Sequence, residues 1–206
     1  MKKISDSAVR RLALYQRFLQ EAADAGLDTI SSGDLAERGG TTSAQVRKDL
    51  SLFGSFGKRG LGYEVQELLR EIREILGVDR TWKVALVGAG KIGSALFSYR
   101  DFQKRGFRIS AAFDSDPAKV GSDMGGVTVR ADEEMDRRLR DEGIEMVIVA
   151  VPAEAAQAVV DRVVNAGVRA ILNFAPVRLR VPRGVALRNV DLTLELEGLS
   201  FALTGR

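Results

Sequence analysis

The sequence predicts an α/β protein with a small helical domain at its N-terminus and a larger parallel-sheet domain behind it. Three observations carry that prediction: helical spacing of apolar residues up to Leu76, a dense apolar run over 82–87 that ends in glycine, and alternating strand-like and helical segments beyond it. The chain has 206 residues, of which 45% are hydrophobic and 29% charged, enough to bury a core in one large domain or two small ones. Glycine and charge break the pattern between Gly77 and Arg80. The expected division is residues 1–78, 79–188 and a C-terminal segment 189–206.

Val9, Leu12, Ala13 and Leu19 suggest a first helix over about 5–23. Ser31, Ser32 and Asp34 open a short second helix that Gly39 and Gly40 stop. Thr42 and Gln45 have capping-box spacing at the start of a third, in which Val46, Leu50 and Phe53 face inward. Ser43, Gln45, Arg47, Lys48 and Ser51 then face outward as a cationic, donor-rich surface. The glycine-dense stretch 54–63 predicts a tight hairpin with Lys58 and Arg59 at its tip. A helix pair followed by a basic hairpin spells a winged helix-turn-helix, a fold that places a short helix in the major groove of double-stranded DNA. There Arg47 is suited to guanine, and Lys48 with the hairpin cations to phosphate. A last helix, 64–76, closes the domain at Gly77.

Strands are expected at 83–87, 108–113, 145–151 and 170–174, alternating with helices near 92–103, 132–142 and 153–166. That order predicts a Rossmann-type sheet covered on both faces. Directly after the first strand, Gly88, Ala89, Gly90, Lys91, Ile92 and Gly93 fit the pattern G-x-G-x-x-G. Gly88 permits the turn, Gly90 admits a pyrophosphate, and Gly93 lets helix and strand approach. Asp114 follows about twenty residues later at the end of the next strand, where a carboxylate takes ribose hydroxyls and repels a 2′-phosphate, favouring NAD or NADH over NADP. Val151 and Pro152, and Asn173, Phe174 and Ala175, end two further strands on the side where open sheets hold ligands.

Histidine and cysteine are both absent. This removes the commonest general acid/base, thiolate metal sites and disulfides, and it weakens an enzymatic reading without excluding lysine, tyrosine or carboxylate chemistry. No metal is expected. Net charge is only +3, so a nucleic-acid surface must come from local clustering. No signal sequence or membrane span is apparent, and a cytoplasmic protein is expected.

Beyond these patterns, the segments ISSGDLA (30–36), AQVRKDLS (44–51), FGSFGKRGLGY (53–63), GAGKIG (88–93), NFAP (173–176) and NVDLTLELE (189–197) resemble the Rex family of redox-sensing transcriptional repressors over almost the full length. The resemblance implies a homodimer that binds operator DNA when free or NAD-bound and releases it when NADH accumulates. It also implies that a final helix, about 191–203, exchanges between subunits. The sequence there is equivocal, since Leu192, Leu194 and Leu196 alternate like a strand while Leu192, Leu196 and Leu199 fit a helix. One departure is the segment SDSAVRRLA (5–13), which lacks the prolines associated with the family's first helix.

Within that picture Arg17, Tyr99 and Asp191 are the candidate redox switch, with Tyr99 on the first Rossmann helix and Asp191 alternating between Tyr99 and Arg17. Two other readings share the glycine loop: a small NAD-dependent oxidoreductase with a helical extension, and a module for another nucleotide such as CoA.

Overall fold

Described residues run from 4 to 57 and from 61 to 205 in this computed structural model, and they fall into two units, Met1–Arg80 and Thr81–Arg206. In the first, α1 (Asp6–Asp24) begins where the Ser5 hydroxyl accepts the Ala8 N–H, and it buries Leu12, Tyr15 and Leu19 on one stripe. A short strand β1 (Thr29–Ile30) leads to α2 (Ser32–Arg38). Here Ser31 and Asp34 form a reciprocal capping box, and Gly39 is the C-cap. The turn to Thr42 then starts α3 (Ser43–Ser51), completing the helix-turn-helix.

Thr42 caps α3 by accepting the Gln45 N–H at 3.1 Å, but the return bond expected of a capping box is not made. The Gln45 amide instead donates to Asp49 Oδ1 at 2.7 Å, one turn along the helix. The hairpin expected over 54–63 has its tip outside the described residues, while its flanks approach each other, a Cβ on Gly57 falling against the Gly62 carbonyl and the Tyr63 ring. β2 (Tyr63–Glu64) pairs antiparallel with β1, and the described residues 52–57 before it contain no strand. Lys58 and Arg59 lie outside the described residues. The unit closes with α4 (Val65–Leu76), which packs Leu68 and Ile72 against the core shared with α1.

Asp49 is the buried charge of this core, with only 1% of its surface exposed. Arg11 grips it through Nε at 2.6 Å and Nη2 at 2.8 Å, and the Tyr15 hydroxyl donates at 3.0 Å. Burial alone would raise the Asp49 pKa, but the bonds from Arg11, Gln45 and Tyr15 outweigh it and hold the carboxyl below its usual range. Burial, reinforced by the same carboxylate, pushes the Tyr15 phenol up to about 12. One ionised carboxylate thereby staples α1 to α3.

In the second unit β3 (Trp82–Val87) is followed by α5 (Lys91–Phe97), α6 (Arg100–Lys104) and β4 (Phe107–Asp114). A two-stranded excursion, β5 (Asp123–Met124) and β6 (Val127–Ala131), precedes a 3-10 turn and α7 (Met135–Asp141). Then come β7 (Met146–Val149), α8 (Ala153–Asn165), β8 (Ala170–Asn173), β9 (Ala186–Asn189) and α9 (Leu192–Leu203). The sheet order is β5-β6-β4-β3-β7-β8-β9, parallel except for β5 at the edge. Apart from that edge it is the doubly wound arrangement, with β3 beside the point where the strand order reverses.

Strand alternation sends Ala85, Val87, Val147 and Val149 to a face covered by Met135 and Leu139 of α7 and Val160 and Val163 of α8. Val84, Leu86 and Ile148 point to the opposite face, under Leu96, Phe97 and Phe102.

The helix expected over 92–103 is broken in two. Ser98 ends α5, its hydroxyl donating to the Ser94 carbonyl, and Tyr99 is extended (φ −76°, ψ 93°) as the N-cap of α6. Tyr99 therefore stands at a corner, not on the first helix of the sheet domain. β5, β6 and β9 are additions to the expected strands. In the last segment the helical reading wins, because the Asp191 carboxylate accepts the N–H groups of Thr193 and Leu194 and caps α9.

Replacing Asp49 by alanine is expected to destabilise the N-terminal unit by about 2 kcal/mol, because the buried Tyr15 hydroxyl loses its acceptor and Arg11 its partner. The depressed carboxyl contributes stability above its unfolded pKa of about 3.9, and that contribution fades as pH falls through the lower folded value. Urea midpoints of wild type and Asp49→Ala should therefore differ most near neutrality and converge at strongly acid pH.

Candidate nucleotide site and nucleic-acid interface

The carboxyl ends of the central strands are level. Gly88 N–H donates to the Phe113 carbonyl at 2.8 Å, Ala150 N–H to Val87 at 2.8 Å, and Phe174 N–H to Val149 at 2.8 Å. These bonds bring the loop 88–93, Asp114, the 151–152 turn and the 173–175 turn to one edge of the sheet. Residues expected at the cofactor from separate parts of the sequence thus share one neighbourhood.

The glycines of the loop have different reasons for being there. Gly88 has φ +100°, and a side chain on it would strike the Ala150 carbonyl. A methyl on Gly93, which is buried in the first turn of α5, would collide with the Gly88 carbonyl oxygen. Gly90 is different, since a Cβ there meets no protein atom within 4 Å. Its bareness leaves room in front of the loop, as close approach by a pyrophosphate demands. Lys91 and Ile92 are exposed beside it.

Asp114 is 7% exposed and closes one side of this space. Its Oδ2 accepts the Ala89 N–H at 2.7 Å and the Lys119 ammonium at 3.2 Å, while Oδ1 accepts the Asp116 N–H at 2.9 Å. Burial opposes ionisation, yet the two backbone donors and Lys119 together hold the carboxyl below its ordinary pKa. It is an anion fixed against the glycine loop, which fits a ribose-binding carboxylate.

Asn173 is fully buried and its side chain is committed elsewhere. Its amide nitrogen donates to the Ala175 carbonyl at 3.0 Å and Asn189 Oδ1 at 3.0 Å, and its oxygen accepts the Ala175 N–H at 2.9 Å. It latches the β8 turn to β9 and so fixes the backbone of the turn that the sequence places at the cofactor. Ala175 is buried beneath the turn, while Val151 and Phe174 are half-buried and Pro152 is exposed.

On α3, Arg47, Lys48 and Ser51 are exposed, and Ser43 and Gln45 are half-buried. Arg47 Nη1 donates to the Ser32 hydroxyl at 2.9 Å, so it rests against α2 at the outer surface. Ser51 donates to the Lys48 carbonyl at 2.8 Å. Sequence reasoning missed Asp49, which fixes Gln45 from below, and Lys119 beside Asp114.

The three candidate switch residues have local roles. Arg17 is exposed and pairs with Glu21 at 3.6 Å. Asp191 caps α9. Tyr99, 54% exposed, packs its ring edge-on against Phe102 at 5.1 Å between centroids and lines an apolar hollow of about 360 Å³ with Phe107, Ile109, Met146 and Leu172. Among the described residues no cluster of three potential metal ligands occurs, and no helix is long and apolar enough to cross a membrane.

A nucleotide-binding sheet edge in the same chain as a helix-turn-helix defines a nucleotide-responsive DNA-binding regulator. Family models match residues 79–177, described as "CoA binding domain", and residues 3–51, described as "Putative DNA-binding protein N-terminus". Proteins named redox-sensing transcriptional repressor Rex are 47% identical in Roseiflexus sp. (strain RS-1), over 98% of this chain and 92% of theirs, and 48% identical in Carboxydothermus hydrogenoformans, over 97% and 96%. The solved structure of RSP with beta-NAD+ and operator DNA is 38% identical with a TM-score of 0.95, covering 100% of this chain and 94% of that one. RSP with beta-NADH is 36% identical with a TM-score of 0.90, covering 100% and 96%. The chain belongs to the Rex family of redox-sensing transcriptional repressors.

Of the two glycines that differ most in their surroundings, Gly93→Ala is expected to cost about 2 kcal/mol by overpacking against backbone. Gly90→Ala should shift stability by no more than about 0.5 kcal/mol, since its backbone is open to alanine. Parallel thermal melts of the two variants check this contrast.

Proposed function

We propose that this protein is a cytoplasmic homodimeric repressor that holds operator DNA when free or NAD-bound and releases it when NADH binds. The observation that carries the reading is the ionised Asp114, braced against a glycine loop whose Gly90 faces open space, in a chain with Arg47 and Lys48 exposed on a helix-turn-helix. The relatives named as repressors, and RSP solved with beta-NAD+ plus operator DNA and with beta-NADH, support the same assignment.

The chain's residues divide the work. Gly88, Ala89, Gly90, Lys91, Ile92 and Gly93 receive the pyrophosphate and Asp114 the adenosine ribose. Val151, Pro152, Phe174 and the backbone of Asn173 and Ala175 flank the nicotinamide end. Arg47 reads base edges, with Ser43, Gln45, Lys48 and Ser51 beside it and Lys58 and Arg59 on phosphate.

α9 is the dimerisation arm: Leu192, Leu194, Leu196, Leu199, Phe201 and Leu203 are 61–89% exposed, an apolar surface suited to a second copy of the chain. Asp191 at its root then alternates between Tyr99 and Arg17. NADH must favour the DNA-releasing state, since a ligand that binds both states equally shifts nothing.

A labelled duplex carrying a selected operator, titrated with NADH, NAD and CoA, tests the reading. NADH alone should release the duplex; release by CoA, or none by NADH, sinks it. Gly90→Ala should weaken NADH-driven release at least about tenfold while leaving operator affinity intact. Asp191→Asn keeps a helix-capping side chain and removes the charge, so release that remains as NADH-sensitive as wild type would remove Asp191 from the switch.

A further inference from the structure

The turn after β4 holds a cation that ribose recognition by a carboxylate does not require. Lys119 Nζ lies 3.2 Å from Asp114 Oδ2 and 3.6 Å from Asp116 Oδ2. The same Asp114 oxygen accepts the Ala89 N–H at 2.7 Å, so the ammonium stands one carboxylate away from the glycine loop. Its backbone is braced: Lys119 N–H donates to the Asp116 carbonyl, Ala118 N–H to Asp116 Oδ1, and the Ser122 hydroxyl to the Lys119 carbonyl. Bonds from Gly121 N–H to the Val129 carbonyl and from Val129 N–H to the Ser122 carbonyl tie the turn to β6. The side chain is 38% exposed, and its flexible stem lets the head move while its base stays fixed.

We propose that Lys119 sets how strictly the site excludes a 2′-phosphorylated dinucleotide. The inference rests on the reading of Asp114 and the glycine loop as the NAD(H) site. Two carboxylates and one ammonium leave an excess negative charge where a 2′-phosphate would fall, so NADPH is disfavoured. Lys119 moderates that repulsion. With the Asp114 charge removed, the ammonium becomes a ready partner for the phosphate, and discrimination passes from the carboxylate to the lysine.

The test titrates the full chain by isothermal calorimetry with NADH and NADPH, comparing wild type, Lys119→Ala, Lys119→Arg, Asp114→Asn and the double variant Asp114→Asn/Lys119→Ala. Asp114→Asn should raise the affinity for NADPH relative to NADH about tenfold, and the double variant should lose most of that gain. Lys119→Ala alone should move the ratio about threefold the other way, while Lys119→Arg stays near wild type. A lysine that merely braces the turn would weaken both dinucleotides alike, so a ratio indifferent to Lys119 overturns the inference. Should Asp114→Asn not fold, the Lys119→Ala and Lys119→Arg ratios decide alone. Wild type that binds NADH with a Lys119-independent ratio refutes only this proposal; wild type that binds neither dinucleotide refutes the NAD(H) site itself.

Discussion

Three backbone hydrogen bonds, from Gly88 to Phe113, Ala150 to Val87 and Phe174 to Val149, hold the carboxyl ends of β3, β4, β7 and β8 in line, and the second unit is organised around that alignment. Parallel strands end on the same side because each crossover helix returns the chain to the opposite edge. Loops from distant parts of the sequence consequently emerge together. Shifting one strand by a residue would carry its turn away from the others and reverse its buried and exposed side chains. The glycine loop acquires its meaning from this edge: the same six residues on an isolated hairpin would face neither Asp114 nor the β7 turn.

Among the described residues, the buried polar side chains Asp49, Asp114 and Asn173 each sit where irregular backbone or a second helix must be held still. Asp49 joins α1 to α3, Asp114 joins the glycine loop to the next turn, and Asn173 joins the β8 turn to β9. Each would be costly if left unpaired, and each is supplied with several partners. Apolar packing secures the helices and strands; these polar groups specify the loops that packing leaves underdetermined. Two of the three lie at the nucleotide edge, where precise backbone placement matters more than bulk burial.

The glycine loop and Asp114 were legible because their signal is contiguous or regularly spaced. Lys119 was not, since its partnership depends on how the turn after Asp114 folds back. Asp49 left a trace: it falls three residues after Val46 on the inward side of α3, a position for an apolar residue, while Arg11 and Tyr15 stand four apart on one side of α1. The short strands β5 and β6 hid behind Gly125 and Gly126, which read as loop. The break at Tyr99 has no proline or glycine to announce it, and α9 was ambiguous because Leu192, Leu194 and Leu196 satisfy the strand period while Leu192, Leu196 and Leu199 satisfy the helical one.

A helix of twelve residues is only marginally ordered by itself in water, and α9 adds large apolar side chains that its own chain leaves uncovered. If α9 docks on a second copy as proposed, its order is tied to the amount of protein present. In the proposed dimer, dilution separates the copies and leaves α9 open to proteolysis, while accumulation covers it again by mass action. On that reading the lifetime of each polypeptide depends on how many others surround it, because the same apolar face that would join two copies is the one a protease meets when they part.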